Sequence, residues 1–328
     1  MLLQVFKSMK LKFHNPKKDA CGLCESYRNG NETEKAKLKD QFETHISEKE
    51  KVRNIKSSLK CHASLNDKIN VCSFDLQQVI FLPKTNRSEI FYSRRLSCYN
   101  FTISDVNSKH CECFLWHEGI AGRGSNEIAS CVYQYLKRID ANSVRHVFLF
   151  ADGCSGQNKN SILPCMLLYF VQNSVNVQSI TIRYFEPHHG QNEGDAVHSC
   201  VERAIKRIPE IMTPSELSAI IKMARLRSTT SVTQVDTGDI LNWKDLAKNL
   251  SILRIREAND GSLEIDWKKV RELQVNKDSP SIIGFKMSHH DDVFAPLDLK
   301  SRRNFVEMIP YPMPAYDEKT EVERRQVQ

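Results

Sequence analysis

Val147-Phe148-Leu149-Phe150-Ala151-Asp152-Gly153-Cys154-Ser155-Gly156-Gln157-Asn158 is an apolar run of strand length that breaks off at an acid and a glycine-rich loop. An apolar run that short, bounded by turn residues and followed by an apolar helical stretch (Ile162 to Val171), reads as a buried parallel strand. Its carboxyl end is where open α/β sheets place their binding crevice, which makes Asp152 the first candidate site residue.

Working outward, three β-rich runs precede this strand: Ile69 to Phe74, Glu89 to Ile103 with Tyr92, Tyr99 and Phe101, and Lys109 to Glu118 with Phe114 and Trp116. A helix follows them, with Ile128, Val132, Tyr135 and Leu136 on one face, Ser125 as expected N-cap and Glu127 in its first turn. After the Asp152 strand and its helix come another strand (Ser179 to Phe185) and a helix from Asp195 to Ile208 that buries Val197, Val201, Ala204, Ile205 and Ile208. The order β-β-β-α-β-α-β-α is that of the ribonuclease H fold: an α/β (mixed) chain whose mixed sheet carries flanking helices. Beyond Pro214 the pattern predicts one helix (Ser215 to Ala224), a hairpin closed by Asn259, Asp260 and Gly261, and a strand near Ile282 to Met287.

The expected organisation is therefore a leader over 1–15, a CxxC segment and charged helix over 16–66, a core over 67–213, a small α+β unit over 214–310 and a tail over 311–328. The abrupt basic start is read as a piece of a longer protein. With 328 residues and 40% hydrophobic content, the chain can bury one sizeable core and an appended unit. It has no run of eighteen apolar residues, and the opening MLLQVFKSMKLKF is too short and lysine-interrupted for a signal or span, so the expectation is an intracellular protein without a membrane partner. Eleven cysteines scattered through such a chain read mostly as reduced, buried thiols. A net charge of +7 permits a polyanionic partner.

Asp75 ends the first β run and Asp195 opens the last core helix, in line with Ser199, Glu202 and Lys206 and away from the buried stripe. Because the first and fourth strands of this fold are neighbours, Asp75 and Asp152 are expected side by side, with Asp195 facing them. Three converging acids repel one another unless cations bind. Magnesium or manganese prefers oxygen ligands, and two ions roughly 4 Å apart offset charge on the attacking and leaving oxygens of a phosphoryl displacement. Singly, each acid also reads as a turn, helix-start or strand-end residue.

Phe74-Asp75-Leu76-Gln77, Tyr99-Asn100-Phe101, Arg123-Gly124-Ser125-Asn126-Glu127-Ile128, Asp152 to Asn158 and Asp195-Ala196-Val197-His198-Ser199 together carry a family resemblance. The set resembles a large animal family of mobile-element-derived proteins with a ribonuclease H-like transposase domain. It covers Pro16 to Ile208 and, more weakly, the rest; Asp-Gly-Cys-Ser-Gly-Gln-Asn is its most specific part. The resemblance implies a DNA transposase core of DDD or DDE type, or its domesticated descendant, with Asp75, Asp152 and Asp195 in the acidic positions, and residence in the nucleus. The family usually shows Gly-His-Thr before its last acidic helix, where this chain has Pro187-His188-His189-Gly190-Gln191-Asn192-Glu193-Gly194. Either Asp195 or Glu193 therefore supplies the third ligand.

The loop after Asp152 has two readings: its amides receive a phosphate while Gln157 and Asn158 contact DNA, or it is a plain tight turn. It is not a nucleophile elbow, because the Gly-x-Ser-x-Gly register is absent. Arg123, Lys159, His188 and His198 complete the expected DNA contacts, and His189 lies near them. Cys21 and Cys24 have the spacing that lets two sulfurs reach one zinc, and His45 supplies a third ligand; Cys61 or His62 closes the tetrahedron only if the charged helix folds back. Two free thiols are the competing reading. That helix, Thr33 to Lys60, carries Leu38, Phe42, Ile46, Val52, Ile55 and Leu59 on a thin stripe, and either pairs with a second copy as a short coiled coil, giving a homo-oligomer, or lies as an arm on the core. Three functions compete: a metal-dependent transposase core, a non-catalytic DNA- or chromatin-associated descendant, and a nuclease without strand transfer.

Overall fold

The computed structural model describes residues 20–87, 94–190, 192–225, 229–250, 252, 265–301 and 309–316. The leader, Tyr92, Gln191, the Asn259-Asp260-Gly261 turn and the tail from 317 onward lie outside them.

Two helices open the described chain, α1 (Gly22–Asn29) and the long α2 (Glu32–Leu65). Asn31 caps α2 by accepting the Glu34 amide at 2.9 Å while the Glu34 carboxylate receives the Asn31 amide at 2.8 Å, a reciprocal capping box that starts an otherwise highly charged helix. The core follows as β1 (Ile69–Leu76), β2 (Ile80–Leu82), β3 (Leu96–Asp105), β4 (Cys111–His117), α3 (Ser125–Asp140), β5 (His146–Ala151), α4 (Ile162–Asn173), β6 (Ser179–Tyr184) and α5 (Glu193–Arg207). Then come α6 (Pro214–Met223), β7 (Thr230–Gln234), α7 (Trp243–Asn249), β8 (Glu272–Asn276), β9 (Ile282–Lys286) and β10 (Ala295–Asp298). Over the core this is the expected order β-β-β-α-β-α-β-α with the short β2 added; beyond 214, α6 and β9 fall where a helix and a strand were expected, and β7, α7, β8 and β10 are additional.

Among the described residues all strands join one sheet in the order β10-β9-β8-β6-β5-β1-β3-β4-β7, with β2 beside β3. β3 lies between β1 and β4 and runs antiparallel to both, whereas β5 runs parallel to both β1 and β6. The strands beyond residue 214 do not make a sheet of their own: β7 adds to β4 at one edge, and β8 to β10 extend from β6 at the other. Backbone groups of β4 and β6 are thereby paired, and the edges of the sheet move out to β7 and β10.

Both faces of the sheet are covered, so its central strands are buried almost end to end. α3, α4 and α7 cover one face, around Cys72, Phe74, Leu149 and Trp243. α4 is apolar all round because it is packed on every side, and Asn160 starts it by accepting the Ile162 and Leu163 amides. On the opposite face, α5 and α6 pack over Leu82, Cys98 and Leu115, and α2 lays Val52, Ile55 and Leu59 over Val71, Phe150 and Phe185. The stripe that a coiled coil would need is spent, in its second half, on the chain's own sheet. One local expectation is corrected: Gly124, not Ser125, is the α3 N-cap, and Glu127 reaches back to the Gly124 amide at 2.8 Å. Ser125 is instead the first helical residue, donating its hydroxyl to the Gly156 carbonyl and accepting from Asn160, which ties α3 to the loop after β5. No helix among the described residues is long and apolar enough to cross a membrane.

Candidate functional site

Side chains alternate along β1, so Val71, Ser73 and Asp75 face α2 and α5 while Cys72 and Phe74 face α3 and α4. The parallel register pairs Phe74 with Ala151, and the next residues on the two strands are Asp75 and Asp152. α5 begins directly over them: Asn192 caps it by accepting the Gly194 amide at 3.0 Å and donates its side-chain amide to the Phe74 carbonyl at 2.7 Å. Gly194 sits so close that a Cβ there would lie 3.3 Å from Cβ of Asp75. In the first turn of the helix Asp195 lines the same open cleft of about 430 Å³ as Asp75 and Asp152.

The three acids do not stand equally. Ligand atoms of Asp75, Asp195 and His198 lie within 4.8 Å of one another, with Asp152 on the cleft wall outside that group. Asp152 is held by the Asn158 side chain, which donates to its carboxylate at 3.0 Å. Burial above all, then the neighbouring charges of Asp152 and Asp195, push the Asp75 carboxyl up to about 8. His198 is buried with Nδ1 3.5 Å from the Asp75 carboxylate and Nε2 3.1 Å from the Thr102 hydroxyl, and burial lowers its pKa to about 4, so the ring is neutral at pH 7. Glu193 points the other way. Its carboxylate meets Lys56 of α2 at 2.5 Å and accepts the Ser73 hydroxyl at 2.6 Å. Of the two candidates for third acid, the fold brings Asp195 into the cleft.

The expected DNA contacts divide. His188 is exposed, lines the cleft and holds a left-handed backbone conformation, φ 62°. Arg123 is exposed on the loop before α3 and does not line the cleft; Gln157 is half-buried in the loop after β5. Asn158, Lys159 and His198, expected among the DNA contacts, are buried and face protein groups. Lys159 packs its ammonium over the Tyr184 ring at 5.3 Å, and burial followed by Arg271 lowers its pKa to about 8. The amides of Gln157, Asn158 and Lys159 all donate to the Cys154 carbonyl, so this loop is the tight turn, and those amides are not free to cradle phosphate.

A second cluster stands beside the cleft. Ligand atoms of Cys21, Cys24, His45 and His189 lie within 4.8 Å of one another. Cys61 and His62 are exposed near the far end of α2 and take no part. The fourth member, His189, comes from the β6–α5 loop. Its signal in the sequence was the His188-His189 pair just before the acidic helix. Glu186, whose carboxylate contacts His45 Nδ1 at 3.0 Å and Arg271 at 2.6 Å, carried no such signal.

Residues 102–261, slightly under half of the chain, match a family described as a domain of unknown function (DUF7869). The match takes in Asp152, Asp195 and His189 and leaves out Asp75, Cys21, Cys24 and His45. No curated protein and no solved structure matches the chain.

Proposed function

We propose that this chain is a ribonuclease H-like core of transposase origin that carries out metal-dependent phosphoryl transfer on DNA. The observation that carries the reading is the β1–β5 register, which sets Asp75 beside Asp152 at the carboxyl ends of parallel strands, under a helix that adds Asp195. Its support in the fold is the order β4-β3-β1-β5-β6, three antiparallel strands followed by two parallel ones, which is the ribonuclease H arrangement.

The residues fit divalent cations. They offer hard oxygen donors, three carboxylates that line one open cleft. Magnesium or manganese held by Asp75, Asp152 and Asp195 would supply charge neutralisation at the phosphoryl group and a nucleophile of lowered pKa. The protein's own groups set that arrangement. Asn158 fixes Asp152, His198 and Thr102 back Asp75, and the Asn192 bridge locks α5 onto the end of β1. His188, exposed on the wall, is placed to meet a phosphate. Nuclear residence follows from this reading, as does DNA as partner of a chain with charge +7.

The closeness of Asp75, Asp195 and His198, with Asp152 outside their group, favours as second reading a hydrolytic nuclease that works with a single ion. Calorimetric titration of manganese into the purified chain, repeated with Asp152→Asn, tests both. Two ions, one of them lost in the variant, support the transposase-type site; one ion retained in the variant supports the second reading. No binding by the wild type, with DNA present, leaves a non-catalytic DNA-associated protein.

A further inference from the structure

Cys21 precedes α1 and Cys24 lies in its first turn, His45 sits mid-way along α2, and His189 belongs to the loop between β6 and α5. Nothing local requires these parts to meet, yet Cys21 Sγ is 3.4 Å from His45 Nε2 and Cys24 Sγ is 3.3 Å from His189 Nε2. In a tetrahedron with zinc–sulfur bonds of about 2.3 Å and zinc–nitrogen bonds of about 2.0 Å, neighbouring sulfur and nitrogen atoms are about 3.5 Å apart. Both sulfurs are buried and neither is in a disulfide. The Glu186 carboxylate against His45 Nδ1 turns the other ring nitrogen toward the cluster, as carboxylates do behind metal-bound histidines.

We propose that Cys21, Cys24, His45 and His189 bind one zinc ion, and that this ion fastens α1 and α2 to the β6–α5 loop that walls the carboxylate cleft. His189 is flanked in sequence by His188 and Gly190, and these, with Glu186, line the cleft. The loop is also tied to α2 by Glu186, against His45, and by Arg53, which donates to the His189 carbonyl at 3.1 Å. Zinc adds coordinate bonds to this seam, so the metal holds the wall that presents His188 although it takes no part in chemistry. The inference stands independently of the reading of Asp75, Asp152 and Asp195.

The test is metal content of the full chain after exhaustive dialysis, with cobalt substitution as spectroscopic readout. One zinc per chain is expected, replaceable by cobalt with the absorption of a tetrahedral site bearing two thiolates. It should be lost in Cys24→Ser and His189→Ala, and kept in Cys61→Ser, His62→Ala and Asp152→Asn. His189→Cys guards against misfolding: it should retain the ion and strengthen the thiolate-to-cobalt charge-transfer band. A wild type that takes neither zinc nor cobalt, or a His189→Ala variant with full zinc content, overturns the site. Amide exchange over residues 185–190 should rise when zinc is stripped by a chelator; unchanged exchange overturns its fastening role.

Discussion

Replacing Asp75 with asparagine keeps shape and removes charge from the most crowded carboxylate of the cleft. In the folded protein this group titrates near 8, against 3.8 for a free aspartate, so the native state holds its proton more tightly than the unfolded chain. A raised carboxyl pKa penalises the fold as pH rises: nothing is lost below about 4, the penalty grows between about 4 and 8, and it is complete above 8. At 1.36 kcal/mol per unit, a shift of about four units sets a ceiling on the order of 5 kcal/mol. The Asp75 side chain is itself 23% exposed and partly screened by water, so about 2 kcal/mol is the expected effect. Urea denaturation in chelator at pH 5 and pH 9 measures it. Asp75→Asn should gain on the wild type between the two, and manganese at pH 9 should stabilise the wild type alone, since only it provides the site. If the difference between variant and wild type does not change with pH, the carboxylates are not crowded and the electrostatic argument for a cation fails.

Gly194→Ala brings a Cβ within 3.3 Å of the Asp75 Cβ and 3.2 Å of the Asn192 carboxamide oxygen; helix propensity returns about 1 kcal/mol, so stability should fall by ~1 kcal/mol or less while manganese affinity drops about tenfold by calorimetry. Asn158→Ala frees the Asp152 carboxylate and should cost roughly tenfold in the same titration. Val52→Ala, buried where α2 meets Phe150 and Phe185, should cost ~1–2 kcal/mol in urea denaturation without changing the mass of the particle in sedimentation; a change of mass would show that this stripe joins two copies.

The parts of the fold that could be read from sequence are those whose signal is local. The apolar run ending in Ala151-Asp152 announces a parallel strand, and the stripe of Val197 and Val201 announces a helix with Asp195 on its free side. Strand order then brings Asp75 to Asp152, because neighbouring parallel strands end together. Burial of polar residues was not legible in the same way. Asn158, Lys159 and His198 look like surface groups in a string, and only packing under Tyr184 and against Thr102 turns them inward. His189 joins the Cys21 cluster through a loop far along the chain, a pairing no spacing rule contains. The edge strands β7 to β10 were hard to place for a related reason: short segments give little periodicity, and their partners are chosen by the open edges of β4 and β6.

A cleft that cuts DNA with the help of a divalent cation, as proposed, should nick supercoiled plasmid. Nicked circles are expected in manganese, none in chelator, and none with Asp75→Asn or Asp152→Asn. Intact plasmid from a wild type shown to hold manganese, or equal nicking by the variants, would contradict the proposal.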